Sequence, residues 1–127
     1  MRLIIADDEA FIRQAYQDGL TRAGFEVEVA ADGEQALELI KKTPAPDLIL
    51  LDLIMPKKNG FEVLKVIKAD PALSKIPVIV LSNLSQVTDE QEVLKMGASE
   101  FLVKSDYSLQ QLTDKIRNFI EANKPKQ

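Results

Sequence analysis

A chain of 127 residues with 46% hydrophobic and 28% charged side chains has the length and make-up of one globular domain, and a net charge of -4 argues against nucleic acid as a direct partner. It has no cysteine, which removes disulfides and thiolate chemistry, and no histidine, which removes a Ser-His-Asp triad, a phosphohistidine of its own and nitrogen ligands for a metal. No apolar run approaches the roughly 20 residues of a membrane span, and "MRLII" lacks the longer apolar stretch and cleavage site of a secretory signal, so the cytoplasm is the expected compartment.

"RLIIA" (2–6) reads as the first strand and delivers Asp7, Asp8 and Glu9 at its end. Residues 9–22 then carry Ile12, Ala15, Tyr16 and Leu20 near helical spacing and stop at Gly24. "FEVEVA" (25–30) alternates, with Phe25, Val27 and Val29 on one side and Glu26 and Glu28 on the other, the pattern of a half-exposed edge strand. Asp32, with Gln35 three residues on, opens a helix over 34–42 through Ala36, Leu37, Leu39 and Ile40. "DLILL" (47–51) is nearly continuous in apolar residues, as a parallel strand covered on both faces should be, and it ends in Asp52. Asn59-Gly60 reads as the turn into a helix over 60–68 that carries Phe61, Leu64 and Ile67. "PVIVLS" (77–82) is the second continuous run and ends in Ser82. Thr88 and Gln91 have capping-box spacing at the start of a helix over 89–96, which closes before Gly97. "EFLVK" (100–104) ends in Lys104. Ser108 with Gln111 opens the last helix, 109–122, on Leu109, Leu112, Ile116, Phe119 and Ile120.

Five strands alternating with five helices predict an α/β chain, a single doubly wound parallel sheet with helices on both faces. With "FEVEVA" at an edge and right-handed crossovers, the strand order 2-1-3-4-5 fits, and ligands of such sheets bind at the carboxyl ends of the strands near the switch point. Asp7, Asp8, Asp52, Ser82 and Lys104 all fall there. Three carboxylates within about 5 Å would repel by roughly 3 kcal/mol per pair at an effective dielectric near 20, which calls for a cation. Hard oxygen donors with no nitrogen or sulfur select Mg²⁺. A Mg²⁺ beside a carboxylate and a lysine suits phosphoryl transfer, with Asp52 as a nucleophile that forms an aspartyl-phosphate. Taken singly, each residue has a plainer reading. Asp8 could cap the first helix, Asp52 could be a loop acid, Lys104 a surface lysine lying along the fold, and Ser82 a satisfied strand-end hydroxyl. Phe101, as a strand aromatic, could simply be core. Glu9, Asp32 and Glu90 read as helix-start charges, and Lys57, Lys58, Lys124 and Lys126 as solvated charge.

The motifs "IIADDE", "DLIMPKKNG", "IVLSN" and "FLVKS", in this order and each at a strand terminus, resemble the CheY-like receiver domains of two-component response regulators over nearly the whole chain. The resemblance implies a flavodoxin-like fold, a receiver domain over residues 1–123 with a polar tail at 124–127, and no room for a separate output module. It implies a phosphorylation-dependent signalling switch that promotes only its own phosphorylation and dephosphorylation. Asp52 would be the phosphoacceptor. Asp8 would ligate Mg²⁺ directly, Asp7 directly or through a water, and the backbone carbonyl of Ile54 would complete the set. Lys104 would pair with the phosphoryl group and Ser82 would hydrogen-bond it, while Phe101 would turn inward as Ser82 is drawn to the phosphate. The implied partners are a histidine kinase or histidine phosphotransfer protein as donor, and a downstream effector on the surface of the fourth helix, fifth strand and fifth helix. Neither direct nucleic-acid contact nor membrane attachment is implied, and the expected state is a monomer or weak dimer. A shift of that surface from 1:99 to 99:1 would need about 5.5 kcal/mol.

Two positions depart from the family pattern. Ser105 follows Lys104 where Pro is frequent, so a trans peptide and a rearranged loop are expected. Asn83 stands where a small residue is frequent, and with Leu84 and Ile54 it would restrict water and slow dephosphorylation. Other function classes fit less well. A phosphorylation-independent scaffold has no use for the full acid set with Ser82 and Lys104. A small Mg²⁺-dependent phosphatase would need an acid where Ile54 stands, and a cap over its substrate. A nucleotide binder would need a glycine-rich phosphate cradle, which the five glycines do not form.

Overall fold

The computed structural model describes residues 2–42, 45–83 and 87–122, with the side chains of 87 and 88 left aside. The described residues form β1 (Arg2–Ala6), α1 (Ala10–Arg22), β2 (Glu26–Ala30), α2 (Gly33–Ile40), β3 (Leu48–Leu51), α3 (Gly60–Ala69), β4 (Val78–Ser82), α4 (Val87–Lys95), β5 (Glu100–Val103), a 3-10 turn at Lys104–Asp106, and α5 (Leu109–Ala122). The sheet is parallel and ordered β2-β1-β3-β4-β5, the doubly wound topology expected from the alternation of elements. None of the described helices is long and apolar enough to cross a membrane.

Successive strand side chains point to opposite faces, and this period of two sorts the core into two layers. Ile4, Ala6, Ile49, Leu51, Val78 and Val80 face α2, α3 and α4, where Ala36, Ile40, Leu64, Ile67 and Val93 meet them. Leu3, Ile5, Leu48, Leu50, Ile79 and Leu81 face the other way, against Leu20 of α1 and Leu112, Ile116 and Ile120 of α5. β3 and β4 are buried along their whole length because they are covered on both sides and flanked by strands. β2, at the edge, carries an exposed Glu26. Its Glu28 is half-buried rather than solvated, because Arg2 of β1 reaches it with the guanidinium and holds the Leu39 carbonyl as well.

Helix starts follow local hydrogen bonding. Asp32 caps α2 by accepting from the Gln35 amide at 2.8 Å, while the Gln35 side chain accepts from Ala31. Ser108 and Gln111 cap α5 reciprocally, as their spacing predicts. Asn59 does more than turn the chain: with Glu62 it forms a full capping box on α3, a role that reading Asn59-Gly60 as a turn leaves out. α4 begins at Val87, so Thr88 lies inside its first turn instead of preceding it. β5 ends at Val103, and Lys104 opens the 3-10 turn where the sequence pattern extends the strand. Leu84 and the tail 124–127 lie outside the described residues.

Candidate functional site

The carboxyl ends of β1, β3, β4 and β5 converge. The ladder runs one residue past the strands, since Asp7 donates its amide to the Ala30 carbonyl at 3.0 Å and Asp52 donates to Ala6 at 2.9 Å. That continuation fixes the backbone under both acids. Gly60 closes the far side: its amide bonds the Leu53 carbonyl at 2.9 Å, and any Cβ there would collide with the carbonyl of Asp52. Ser82, the last residue of β4, is buried at the same edge.

Four polar groups are held here with little access to water: Asp7, Asp52, Ser82 and Lys104 are 2%, 5%, 1% and 7% exposed. The Lys104 ammonium sits 2.6 Å from Asp7 and 3.0 Å from Asp52, with Glu9 at 3.7 Å. The second oxygen of Asp7 accepts from the Glu9 amide at 2.9 Å, and that of Asp52 accepts from the Ile54 amide at 3.3 Å. Arg13, one turn into α1, donates to the Asp7 carbonyl at 2.8 Å.

The electrostatics follow from burial and these contacts. Burial raises the Asp52 carboxyl above its ordinary value and the Asp7 charge adds to this, while Lys104 and the Ile54 amide pull it back. Burial alone would lower Lys104, but its hydrogen bond to Asp7 and the charge of Asp52 outweigh that and raise it. Tyr16, half-buried on α1, has its phenol raised by burial first. It lies within the field of Lys104, which lowers it, and of Asp7, Glu9 and Asp52, which raise it.

Asp8 is exposed at the mouth of the cleft and does not cap α1, whose N-cap residue is Glu9. Asp7, Asp8 and Asp52 each offer one carboxylate oxygen, and the three atoms lie within 4.8 Å of one another. Two are buried and one is open to solvent, all are hard oxygens, and the donor set fits Mg²⁺. The cleft above them, about 280 Å³, is walled by Ile54, Ser82 and Asn83. Ile54 is 58% exposed, unusual for its type, and Asn83 is exposed as well. Phe101 stands apart from the cleft wall. It is half-buried against the α3–α4 layer, in register with Val80, two residues before Ser82.

The structure thus places Asp8, Asp52, Ser82 and Lys104 around one cleft with Ile54 in its wall, and Asp7 buried beside them against Lys104. Sequence reasoning missed Arg13, and it gave Glu9 only a helix-start role. The signal for Arg13 was available: a cation six residues after Asp7, on the first turn of a helix that starts beside it.

A family model for the response regulator receiver domain matches residues 3–117. Response regulator RR06 of Streptococcus pneumoniae is 40% identical over 120 residues, covering 94% of this chain and 53% of that protein. The chain spans about half the length of the curated relatives it matches. Among solved structures, the receiver domain of the Francisella response regulator 1452 superposes with a TM-score of 0.86 at 31% identity, covering 97% of this chain and 98% of that one. The phosphorylated cyanobacterial phytochrome response regulator RcpA gives 0.81 at 32% identity, covering 94% and 91%.

Proposed function

The chain belongs to the response regulator receiver domain family, and on that premise we propose that it is a phosphorylation-dependent signalling switch with Asp52 as phosphoacceptor. The observation that carries this reading is the placement of Asp52 one residue past a fully buried strand, in contact with Lys104 and within 4.8 Å of two further acids. A carboxylate oxygen of Asp52 attacks phosphorus. The new bond is an acyl phosphate, and the bond to the donor's nitrogen or oxygen breaks, its electron pair leaving with the donor. Membership of the receiver family makes a histidine kinase or histidine phosphotransfer protein the donor, and these 127 residues hold no histidine that could carry the phosphoryl group instead. Similarity to RcpA, a protein solved in its phosphorylated form, supports the same reaction here.

Asp7, Asp8 and Asp52, with the Ile54 carbonyl, would hold Mg²⁺, which when bound supplies positive charge to the phosphoryl oxygens. Lys104 is already held by burial and two acids, so it offers its charge to an incoming phosphoryl group with little reorganisation. The Ser82 hydroxyl hydrogen-bonds the phosphoryl group. Phe101, packed beside β4, follows it inward and alters the α4–β5–α5 surface that a downstream effector reads. Ile54 stands where a phosphatase of this chemistry would need an acid, so the chain acts on its own phosphoryl group alone. Asn83 and Ile54 narrow the cleft against attacking water, and the acyl phosphate should decay faster in Asn83→Ala, read by its half-life. The deciding experiment is incubation with phosphoramidate and Mg²⁺ followed by intact mass. One phosphoryl group is gained by the wild type and none by Asp52→Asn; equal labelling of both would remove Asp52 from the mechanism.

A further inference from the structure

Residues 53–59, between β3 and α3, carry Ile54 and so determine where its amide and side chain stand relative to Asp52. The two ends of this loop are tied together, since the amide of Gly60, the first residue of α3, donates to the Leu53 carbonyl and Gly60 packs against the Asp52 backbone. The other contact is with α2. At Gly33, the first residue of α2, a Cβ would collide with the Lys58 carbonyl and lie 2.5 Å from the Lys58 Cβ, so helix and loop meet backbone to backbone. Lys57 adopts φ 66°, and among the described residues it is the one non-glycine with positive φ. A lysine gains nothing from that left-handed backbone by itself, so something in the surroundings must hold it there. The group in reach is Asp32, 5% exposed, whose Oδ2 lies 3.7 Å from the Lys57 ammonium while Oδ1 caps α2. Lys57, 59% exposed at its side chain, thus has a defined acceptor on a different element and is more than solvated charge.

We propose that Asp32 and Lys57 form a latch: the first turn of α2 holds residues 53–59 in the one conformation that aims the Ile54 amide at the Asp52 carboxylate. Both are positioning residues, acting on Asp52 through the loop. The consequence for chemistry rests on the reading of Asp52 as phosphoacceptor. A loop that leaves its latch takes one hydrogen bond from the acceptor and moves one wall of the cleft.

The test starts with the whole chain and no phosphodonor. The solvent-exchange rate of the Ile54 backbone amide is measured by NMR in wild type, Lys57→Met, Lys57→Asn, Lys57→Arg, Asp32→Asn and Asp32→Asn/Lys57→Met. Asparagine tolerates positive φ, so Lys57→Asn separates the ammonium from the backbone conformation, and the amide oxygen introduced by Asp32→Asn keeps the helix cap. Exchange should quicken about threefold in both uncharged Lys57 variants and in Asp32→Asn, no further in the double variant, and return in Lys57→Arg, the size an exposed ion pair allows. Because Lys57 is exposed, 1 M salt should bring the wild type to the variants' rate, a response that general destabilisation would not produce. Unchanged exchange in both Lys57→Met and Lys57→Asn, or losses that add in the double variant, would overturn the latch. Phosphoryl uptake from phosphoramidate should slow by the same factor. A wild type that takes up no phosphoryl group strikes at the function of Asp52 and leaves the amide measurement to judge the latch.

Discussion

With its ammonium 2.6 Å from Asp7 and 3.0 Å from Asp52, Lys104 neutralises two acids that would otherwise be buried beside each other without a counter-charge. Removing one partner of such a buried set strands the rest, at about 3–5 kcal/mol. Lys104→Met should therefore unfold at lower urea than the wild type in chelator at pH 7. Its deficit should sit toward the low end of that range, because Asp52, already raised, can take a proton instead. The pH dependence has a definite sign. Lys104 is raised above its ordinary 10.5 in the fold, so its stabilising effect is complete below 10.5 and is lost as pH climbs through the higher folded value. The wild type should lose this increment above pH 10.5 and Lys104→Met should not, so their urea midpoints converge on the alkaline side. At this scale the sequence made the five polar positions readable because each ends a strand. It could not reveal that Lys104 pairs with Asp7 more closely than with Asp52, since that depends on side-chain reach across the sheet.

At the scale of elements, hydrophobic period and cap spacing located the five strands and five α-helices of the described residues but not the 3-10 turn, and the misplacements have physical sources. Two strand ends lie one residue inside their predicted runs: Lys104 enters a 3-10 turn instead of continuing β5, and Asp47, just ahead of β3, accepts the Arg2 amide at the start of β1 with its side chain. Asn59 reads as a turn residue because Asn-Gly favours turns. Its Glu62 partner three residues on, the stronger cue for a helix start, is equally visible in the sequence. The capping box makes α3 testable by itself. Asn59→Ala should lower stability by about 1 kcal/mol in urea unfolding, and Asn59→Asp, which keeps an acceptor, should lose far less. α3 follows directly on the loop that carries Ile54, so the same substitution should also disturb the Ile54 amide resonance.

For the whole molecule, the order of the sheet was legible because two runs had to be interior and one alternating run had to be an edge. Once order is known, parity along each strand determines which residues face which layer. What lay beyond reach were contacts between elements distant in sequence with no apolar pattern to announce them, the Asp32–Lys57 pair above all. The acid cleft also couples to global stability. A cation that binds the folded cleft and not the open chain stabilises the fold by mass action, by about 2.7 kcal/mol at 100 times its dissociation constant. Mg²⁺ should raise the urea midpoint of the wild type, raise it less in Asp52→Asn and Asp8→Asn, and saturate with one site; an equal rise in all three would place the ion elsewhere.

Tyr16 has a practical consequence of its own. The chain contains no tryptophan and only two tyrosines, and Tyr16 shares the field of Asp7, Glu9, Asp52 and Lys104. Replacing Tyr107 by phenylalanine would leave Tyr16 as the single tyrosine, whose ultraviolet emission, excited where phenylalanine barely absorbs, is placed to report a change of charge in the neighbouring carboxylates without an attached dye.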